Sequence, residues 1–286
     1  MSQVLGELVD LLALERIEED LFRGQSQDLG WGQVFGGQVL GQALSAATQT
    51  VPEGRHVHSL HAYFLRPGDV RRPIVYHVER IRDGASFATR QVHAVQGGRP
   101  IFSVSASFQI DEDGFDHQDV MPAVEGPGGL PSELEMWRRV ADRIPEPVRA
   151  MALAERPIEV VPVDALDPFH PEKKPPQQAV WLRAAGRLPD TPALHSYLLA
   201  YCSDMNFVVT AMRPHGRTWF DPRLQVASID HAMWFHRPFR MDEWLLHVMD
   251  SPSASGARGF ARGKVFSADG RLVASTAQEG LMRTRR

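Results

Sequence analysis

Asp204 stands in TPALHSYLLAYCSDMNFVVTAM (191–212), a run whose apolar spacing predicts a single helix. Residues three and four positions away share its face, and these are Ala200, Tyr201, Phe207 and Val208, with Tyr197 and Ala211 one turn further. That stripe should pack on a sheet, which places a carboxylate mid-helix on the buried side. Asp is a poor helix-interior residue, and a buried carboxylate without partners either costs heavily or becomes protonated. Donors must therefore come from the opposing strands. Ser228 and Gln278 are the candidates, and both are neutral. A carboxylate held ionised by neutral donors can accept a proton from water. Each of the three residues taken alone is equally well read as a satisfied core polar group; together they favour a site.

The suspicion is sharpened by an internal repeat. His61-Ala62 recurs as His231-Ala232, Arg66-Pro67 as Arg237-Pro238, His77-Val78 as His247-Val248 and Gly98-Arg99 as Gly270-Arg271, in order and at offsets of 170 to 172 residues. With an offset of 172, Gln278 falls opposite Ala106, which alternates in phase with Phe102, Val104 and Phe108 and so faces inward. With an offset of 170, Ser228 falls opposite His58. The polar residues thus lie in the second copy, opposite different side chains in the first.

The elements that must position these residues follow the same division. Residues 1–110 form a first patterned unit and 178–286 a second, and 111–177 carry 11 of the 21 prolines as a linker with short elements. In the first unit a strand is expected to begin within 14–24, a helix over 36–51, and strands near 57–65, 73–82, 86–96 and 100–110. In the linker, 133–144 reads as a helix and 158–163 as an edge strand. In the second unit, strands are expected at 179–186 and near 225–236, 243–250, 257–267 and 271–283, with the helix at 191–212. One long helix against one curved antiparallel sheet is a hotdog. The fold class is therefore α+β, a double hotdog of two tandem repeats whose sheets join edge to edge.

Composition narrows the function. With 31 Lys plus Arg against 35 Asp plus Glu, a net charge of −4 gives no long-range attraction to nucleic acid or an anionic membrane. Cys202 is the only cysteine, which excludes an intramolecular disulfide and a cysteine zinc site and suits a cytoplasmic setting. The N-terminal segment has acids where a signal peptide needs a basic start, and no apolar run approaches the roughly 20 residues of a membrane span. The chain is expected to be soluble and unprocessed.

Other chemistry-bearing residues carry weaker signals. Gly36-Gly37 opens the first helix, where free N–H groups and the helix dipole could hold an oxyanion or phosphate; the alternative is a tight helix start with close packing. FGGQVLG does not fit a dinucleotide fingerprint, and no P-loop occurs. His56 and His58 share one strand face and His61 takes the other, with no carboxylate at ligand spacing, so no metal is expected. There is no G-x-S-x-G elbow. Cys202 reads as a small buried hydrophobe. Trp234, in MWFHRPF, reads chiefly as core but could line an acyl tunnel.

Along its length the chain resembles the acyl-CoA thioesterase II family of bacteria, which also includes peroxisomal acyl-CoA thioesterases. The likeness is carried by LFRGQS (21–26), VFGGQVLGQAL (34–44), HSLHAYFLRPGD (58–69), RDGASF (82–87), SDMNF (203–207), SIDHAMWFHRPF (228–239), ARGF (257–260) and VASTAQEGLMR (273–283). It implies hydrolysis of acyl-CoA of broad, medium to long chain length, with no metal or organic cofactor. It also implies a catalytic trio of an Asp in the second-half helix, a Thr or Ser before IDH and the Gln of QEG. These fall on Asp204, Ser228 and Gln278. Ser in place of the commoner Thr keeps the hydroxyl and loses the methyl that fixes its rotamer. Gly36, Gly37, His58 and Trp234 are the substrate-binding candidates. A homodimer or homotetramer is implied by the resemblance alone. The competing readings are a hotdog acyl-CoA dehydratase, which wants a catalytic His with a carboxylate, and a non-catalytic acyl-CoA sensor. The C-terminal RTRR is no peroxisomal address.

Overall fold

A computed structural model describes residues 1–167, 169–218 and 221–285. The chain runs α1 (Gln3–Leu12), β1 (Glu15–Glu18), β2 (Leu21–Gly24), α2 (Gly36–Thr48), β3 (Arg55–Phe64), β4 (Ile74–Asp83), β5 (Phe87–Gln96) and β6 (Arg99–Ile110). The middle holds α3 (Glu133–Arg139), α4 (Glu146–Leu153) and β7 (Ile158–Pro162). The remainder is β8 (Gln177–Ala184), α5 (Pro192–Ser203), α6 (Phe207–Met212), β9 (Leu224–Ser228), β10 (Asp230–Phe235), β11 (Leu245–Ser255), β12 (Arg258–Ser267) and β13 (Leu272–Thr284).

All strands join one antiparallel sheet in the order β1-β2-β4-β5-β6-β3-β10-β13-β12-β11-β8-β7, with β9 paired to β13. The first-half strands and the second-half strands meet edge to edge at β3 and β10, where Met233 pairs with Leu60 and Ala232 with His61. This is the expected double hotdog. Alternation does the sorting: along β6, Phe102, Val104, Ala106 and Phe108 are buried, while Ser103, Ser105 and Ser107 take the other face. The main core lies between the inner face of the sheet and α1, α2 and α5. A smaller apolar cluster around Trp181, Leu246 and Phe266 lies on the other side of the second half, covered by Met121, Val124 and Leu130 from the linker.

Three expectations change. The N-terminal residues form α1, which the sequence reading leaves out; Ser2 caps it and Leu5, Leu8 and Leu12 bury its stripe. Helix 133–144 is shorter than expected, and α4 follows it unannounced. The continuous helix over 191–212 is broken into α5 and α6, so Asp204 is not mid-helix but caps the C-terminus of α5. Asn206 adopts the left-handed conformation (φ 72°) that reverses the chain locally, one that Asn tolerates better than most residues.

The start of α2 is held in place by a buried amide network. Tyr76 donates to Oε1 of Gln42 at 2.7 Å, and Nε2 of Gln42 donates to the carbonyls of Leu11 (2.7 Å) and Gln25 (3.0 Å). Gln38 adds a donor bond to the Gln25 carbonyl and accepts from the Gln27 N–H. Gln42→Leu would leave the Tyr76 hydroxyl and the Leu11 carbonyl without this partner, while Gln38 still serves the Gln25 carbonyl. We expect it to lower stability by about 3 kcal/mol in urea unfolding, since each unsatisfied buried group costs about 1–3 kcal/mol.

Candidate active site

The break between α5 and α6 is what frees the Asp204 side chain. Continued helix would bury it against the sheet; ending α5 there turns it toward the N-terminus of α2 and toward β9 and β13. Its Oδ1 accepts a hydrogen bond from Ser228 at 2.8 Å, and Ser228 Oγ accepts one from Nε2 of Gln278 at 2.9 Å. The Gly37 N–H and the Gln278 amide also donate toward the carboxylate. Asp204 is 9% exposed, Ser228 is half-buried and Gln278 is buried. The three residues singled out in the sequence are therefore brought together.

Asp204 and Ser228 are each delivered by a local irregularity, Gln278 by regular strand alternation. Ser228 ends β9, where Ile229 forms a bulge: Ser228 pairs with Gly280 on β13, and the Ile229 N–H bonds the Glu279 carbonyl before β10 enters between β13 and β3. Gln278 and Thr276 are the inward polar residues of β13, in phase with Ala274 and Gly280. Helix α6 can lie close to this strand because Gly280 has no β-carbon; one there would sit 2.5 Å from Val208.

Gly36 and Gly37 also arrive at this point. α2 and α5 run antiparallel in close contact, with Gly37 beneath the Tyr201 carbonyl and Gly41 beneath that of Tyr197. A β-carbon on Gly36 would stand 2.6 Å from Oδ2 of Asp204 and 2.8 Å from the Phe64 ring. No side chain caps α2, whose N-cap is Phe35. The anion beside this helix N-terminus is the carboxylate of Asp204, and the absence of β-carbons at the glycine pair is what lets α5 and that carboxylate approach so closely.

Burial pushes the Asp204 carboxyl up to about 6, and the donors Ser228, Gln278 and the Gly37 N–H check the rise. The carboxylate is thus ionised above that pH and able to take a proton from water. No cluster of three or more metal-type side chains occurs among the described residues.

His58 and Trp234 are not brought to this cluster. His58 is the bulge residue of β3; its ring bonds Ser107 Oγ at 2.8 Å and packs edge-on to Phe87 on the outer face. Trp234 also lies on the outer face, against His61 at 5.3 Å between ring centres. Strand pairing corrects the repeat as well. Leu60 pairs with Ala106 on β3 and β6 and Val57 with Phe108; Ser228 pairs with Gly280, and Ile229 is the bulge answering to His58. The structural offset here is 171, so Ser228 answers to Val57, not His58, and His231 answers to the buried Leu60. Sequence reasoning missed His231. The Arg66-Pro67 match already carried that offset, and applying it locally would have shown a histidine replacing a core leucine.

The chain matches a family profile described as acyl-CoA thioesterase N-terminal domain over residues 26–109 and one described as acyl-CoA thioesterase over 147–281. It is 47% identical to acyl-CoA thioesterase 2 of Haemophilus influenzae over 283 residues, covering 99% of each chain. It is 41% identical to human acyl-coenzyme A thioesterase 8, covering 96% of this chain and 88% of that protein. Among solved structures it superposes on an acyl-CoA thioesterase II from Mycobacterium marinum with a TM-score of 0.79, 44% identity, and coverage of 97% and 98%. A hotdog-fold protein from Alicyclobacillus acidocaldarius, 22% identical with a TM-score of 0.77 over 98% of this chain and 99% of that one, shares the fold. With relatives this similar along both halves, the chain belongs to the acyl-CoA thioesterase II family and is a double-hotdog thioester hydrolase.

Proposed function

We propose that the protein hydrolyses medium- to long-chain acyl-CoA to fatty acid and CoA, using a water molecule activated by Asp204 and held by Ser228 and Gln278. The observation that carries this reading is the buried carboxylate whose partners are all neutral donors. Water adds to the thioester carbonyl carbon as Asp204 takes its proton, and the resulting oxyanion collapses with expulsion of the CoA thiolate, which is then protonated. The thioester needs little further activation, because sulfur donates little resonance to the carbonyl. The N-terminus of α2, with Gly36 beside Asp204, supplies positive potential for the developing oxyanion. A covalent anhydride on Asp204 is less favoured, because Ser228, Gln278 and the Gly37 N–H engage the same carboxylate.

Release of thiol from palmitoyl-CoA, followed with a thiol-reactive dye, tests the reaction class. Steady release is expected; binding without release would indicate a sensor, and loss of water from a hydroxyacyl-CoA would indicate a dehydratase. The pH profile tests the base. Activity should rise with pH through an inflection near 6, where Asp204 ionises. Ser228→Ala removes a donor that favours the ionised form, so the same inflection should move upward and kcat should fall by about tenfold or more. An unmoved inflection would contradict the assignment of Ser228. The single, buried Cys202 supports a cytoplasmic setting, and the outer strands β1 and β7 offer edges through which a homodimer or homotetramer could form.

A further inference from the structure

The hydrogen-bonded chain ending on Asp204 does not begin at Gln278. Oε1 of Gln278 lies 2.6 Å from Nδ1 of His231. Nε2 of the same ring lies 3.0 Å from Oγ of Ser203, which is also 2.9 Å from the Ala200 carbonyl. Ser203, His231 and Gln278 are all buried, and Phe207 closes the ring edge-on at 5.8 Å between centres.

Donor and acceptor roles along this chain are fixed by its end. An ionised carboxylate can only accept, so the Ser228 hydroxyl must donate to it. Ser228 Oγ then accepts from Nε2 of Gln278, which leaves Oε1 to accept from His231. Nδ1 therefore carries the ring proton, and the lone pair on Nε2 accepts a hydrogen bond from the Ser203 hydroxyl. Burial holds the ring neutral, with its pKa lowered to about 4.

A second complete arrangement exists when Asp204 is protonated on Oδ1, the oxygen that faces Ser228. The acid donates to Ser228, and Ser228 donates to Oε1 of a Gln278 amide turned end for end. The amide nitrogen donates to Nδ1, Nε2–H donates to Ser203, and Ser203 donates to the Ala200 carbonyl. In total the chain has gained one proton from solvent, and the imidazole proton has been redistributed by exchange. With the proton on Oδ1, any mixture of the two arrangements faces donor with donor or acceptor with acceptor in a buried place, at about 1–3 kcal/mol per mismatch.

We infer that His231 and Ser203 are positioning residues for the proposed hydrolysis. They lock the Gln278 amide with its nitrogen toward Ser228 while Asp204 is ionised, and the His231 ring changes tautomer when Asp204 takes its proton on Oδ1. The inference rests on Asp204 being the base. His247 on β11 faces His231 across Phe207; burial holds it neutral, with its pKa lowered to about 3. Cys202 on α5 is a buried thiol pushed up to about 12. Asp230 and Glu279, the chain neighbours of His231 and Gln278, alternate onto the other face of the sheet. None of these groups supplies a charge that would fix the ring in one form.

Nitrogen-15 NMR of the histidine-labelled enzyme reads the tautomer directly, with the His231 signal assigned by its loss in His231→Asn. At a pH well above the activity inflection, Nδ1 should be protonated; near pH 5, below the inflection but above the His231 value of about 4, Nε2 should be. One tautomer at both extremes, or Nε2–H at the alkaline one, overturns the inference. In Asp204→Asn the tautomer should cease to respond to pH, whatever that variant's turnover, which separates this test from that of the base itself. Kinetically, His231→Leu should lower kcat by about tenfold, the consequence of one misaligned buried pair, with KM nearly unchanged and the acid inflection moved upward. His231→Asn can place an amide N–H where Nδ1–H stood and should recover most of the rate. A His231→Leu enzyme with the parent kcat and pH profile would refute the role. Should that variant not fold, the tautomer measurement on the parent protein still decides.

Discussion

Replacing Asp204 by Asn is expected to lower kcat by about two orders of magnitude or more, the contribution of a positioned general base, while leaving the fold intact. Stability separates this from a merely structural loss. Burial raises the Asp204 carboxyl from 3.8 to about 6, so the folded chain holds that proton more tightly than the unfolded chain. The stability due to this group is full below pH 3.8 and is lost as pH rises through about 6. The loss amounts to about 3 kcal/mol, on the order of 1.4 kcal/mol per pH unit between the two values. Near pH 8 the parent therefore carries a charge that opposes folding, and Asn removes it. Asn also turns an NH2 toward one of the groups that donate to the carboxylate, which offsets part of the gain. The variant should thus unfold at a temperature equal to or above that of the parent near pH 8. Near-normal thiol release in the folded variant would remove Asp204 from the mechanism.

Gly37→Ala should produce the second large effect, on both stability and rate. A β-carbon at this position would fall on the main-chain carbonyl of Tyr201, which cannot rotate away as a side chain would. The two helices must separate at the point where they carry Asp204 and the Gly37 N–H. Overpacking of this kind costs about 1–3 kcal/mol and sometimes more. The displaced N–H would also cease to favour the ionised carboxylate, so kcat near neutral pH should fall by at least about tenfold with the acid inflection displaced upward. Gly41→Ala provides the comparison: its β-carbon would meet a Leu12 methyl at 2.9 Å and the Tyr197 carbonyl at 3.1 Å, a milder contact and one helical turn from the carboxylate. Thermal unfolding and kcat for the pair would check this, and a Gly37→Ala enzyme indistinguishable from Gly41→Ala would contradict it.

Much of this arrangement is legible in the sequence because it depends on alternation and on a repeat. Gln278 sits opposite Ala106 in strands whose inward faces are otherwise apolar, and a polar group in that position must be satisfied. The edge-to-edge union of the halves follows from two hotdog patterns in one chain. What the sequence hides is local. The helix break at Asp204 depends on Asn206 entering left-handed space, and the apolar run 191–212 gives no stop signal of the usual Gly or Pro kind. The matching bulges at His58 and Ile229 each shift the pairing by one residue, which turns His58 outward; because they answer to one another, the offset of 171 holds on both sides and sets His231 against Leu60. A single-residue slip reverses which side chains face the core, and of the four dipeptide matches only Arg66-Pro67 carries the offset of 171 that holds on this strand. α1 was obscured because its leucine stripe is short and runs directly into the acidic strand β1.

In the proposed mechanism water, activated by the Asp204 carboxylate, is the direct nucleophile. The sharpest check is a single turnover of palmitoyl-CoA by excess enzyme in oxygen-18 water, followed by mass spectrometry of both the fatty acid and the peptide containing Asp204. Direct attack places one heavy oxygen in each released acid and none in the peptide. Heavy oxygen in the Asp204 carboxyl, or an unlabelled acid from the first turnover, would show that the side chain itself had been acylated.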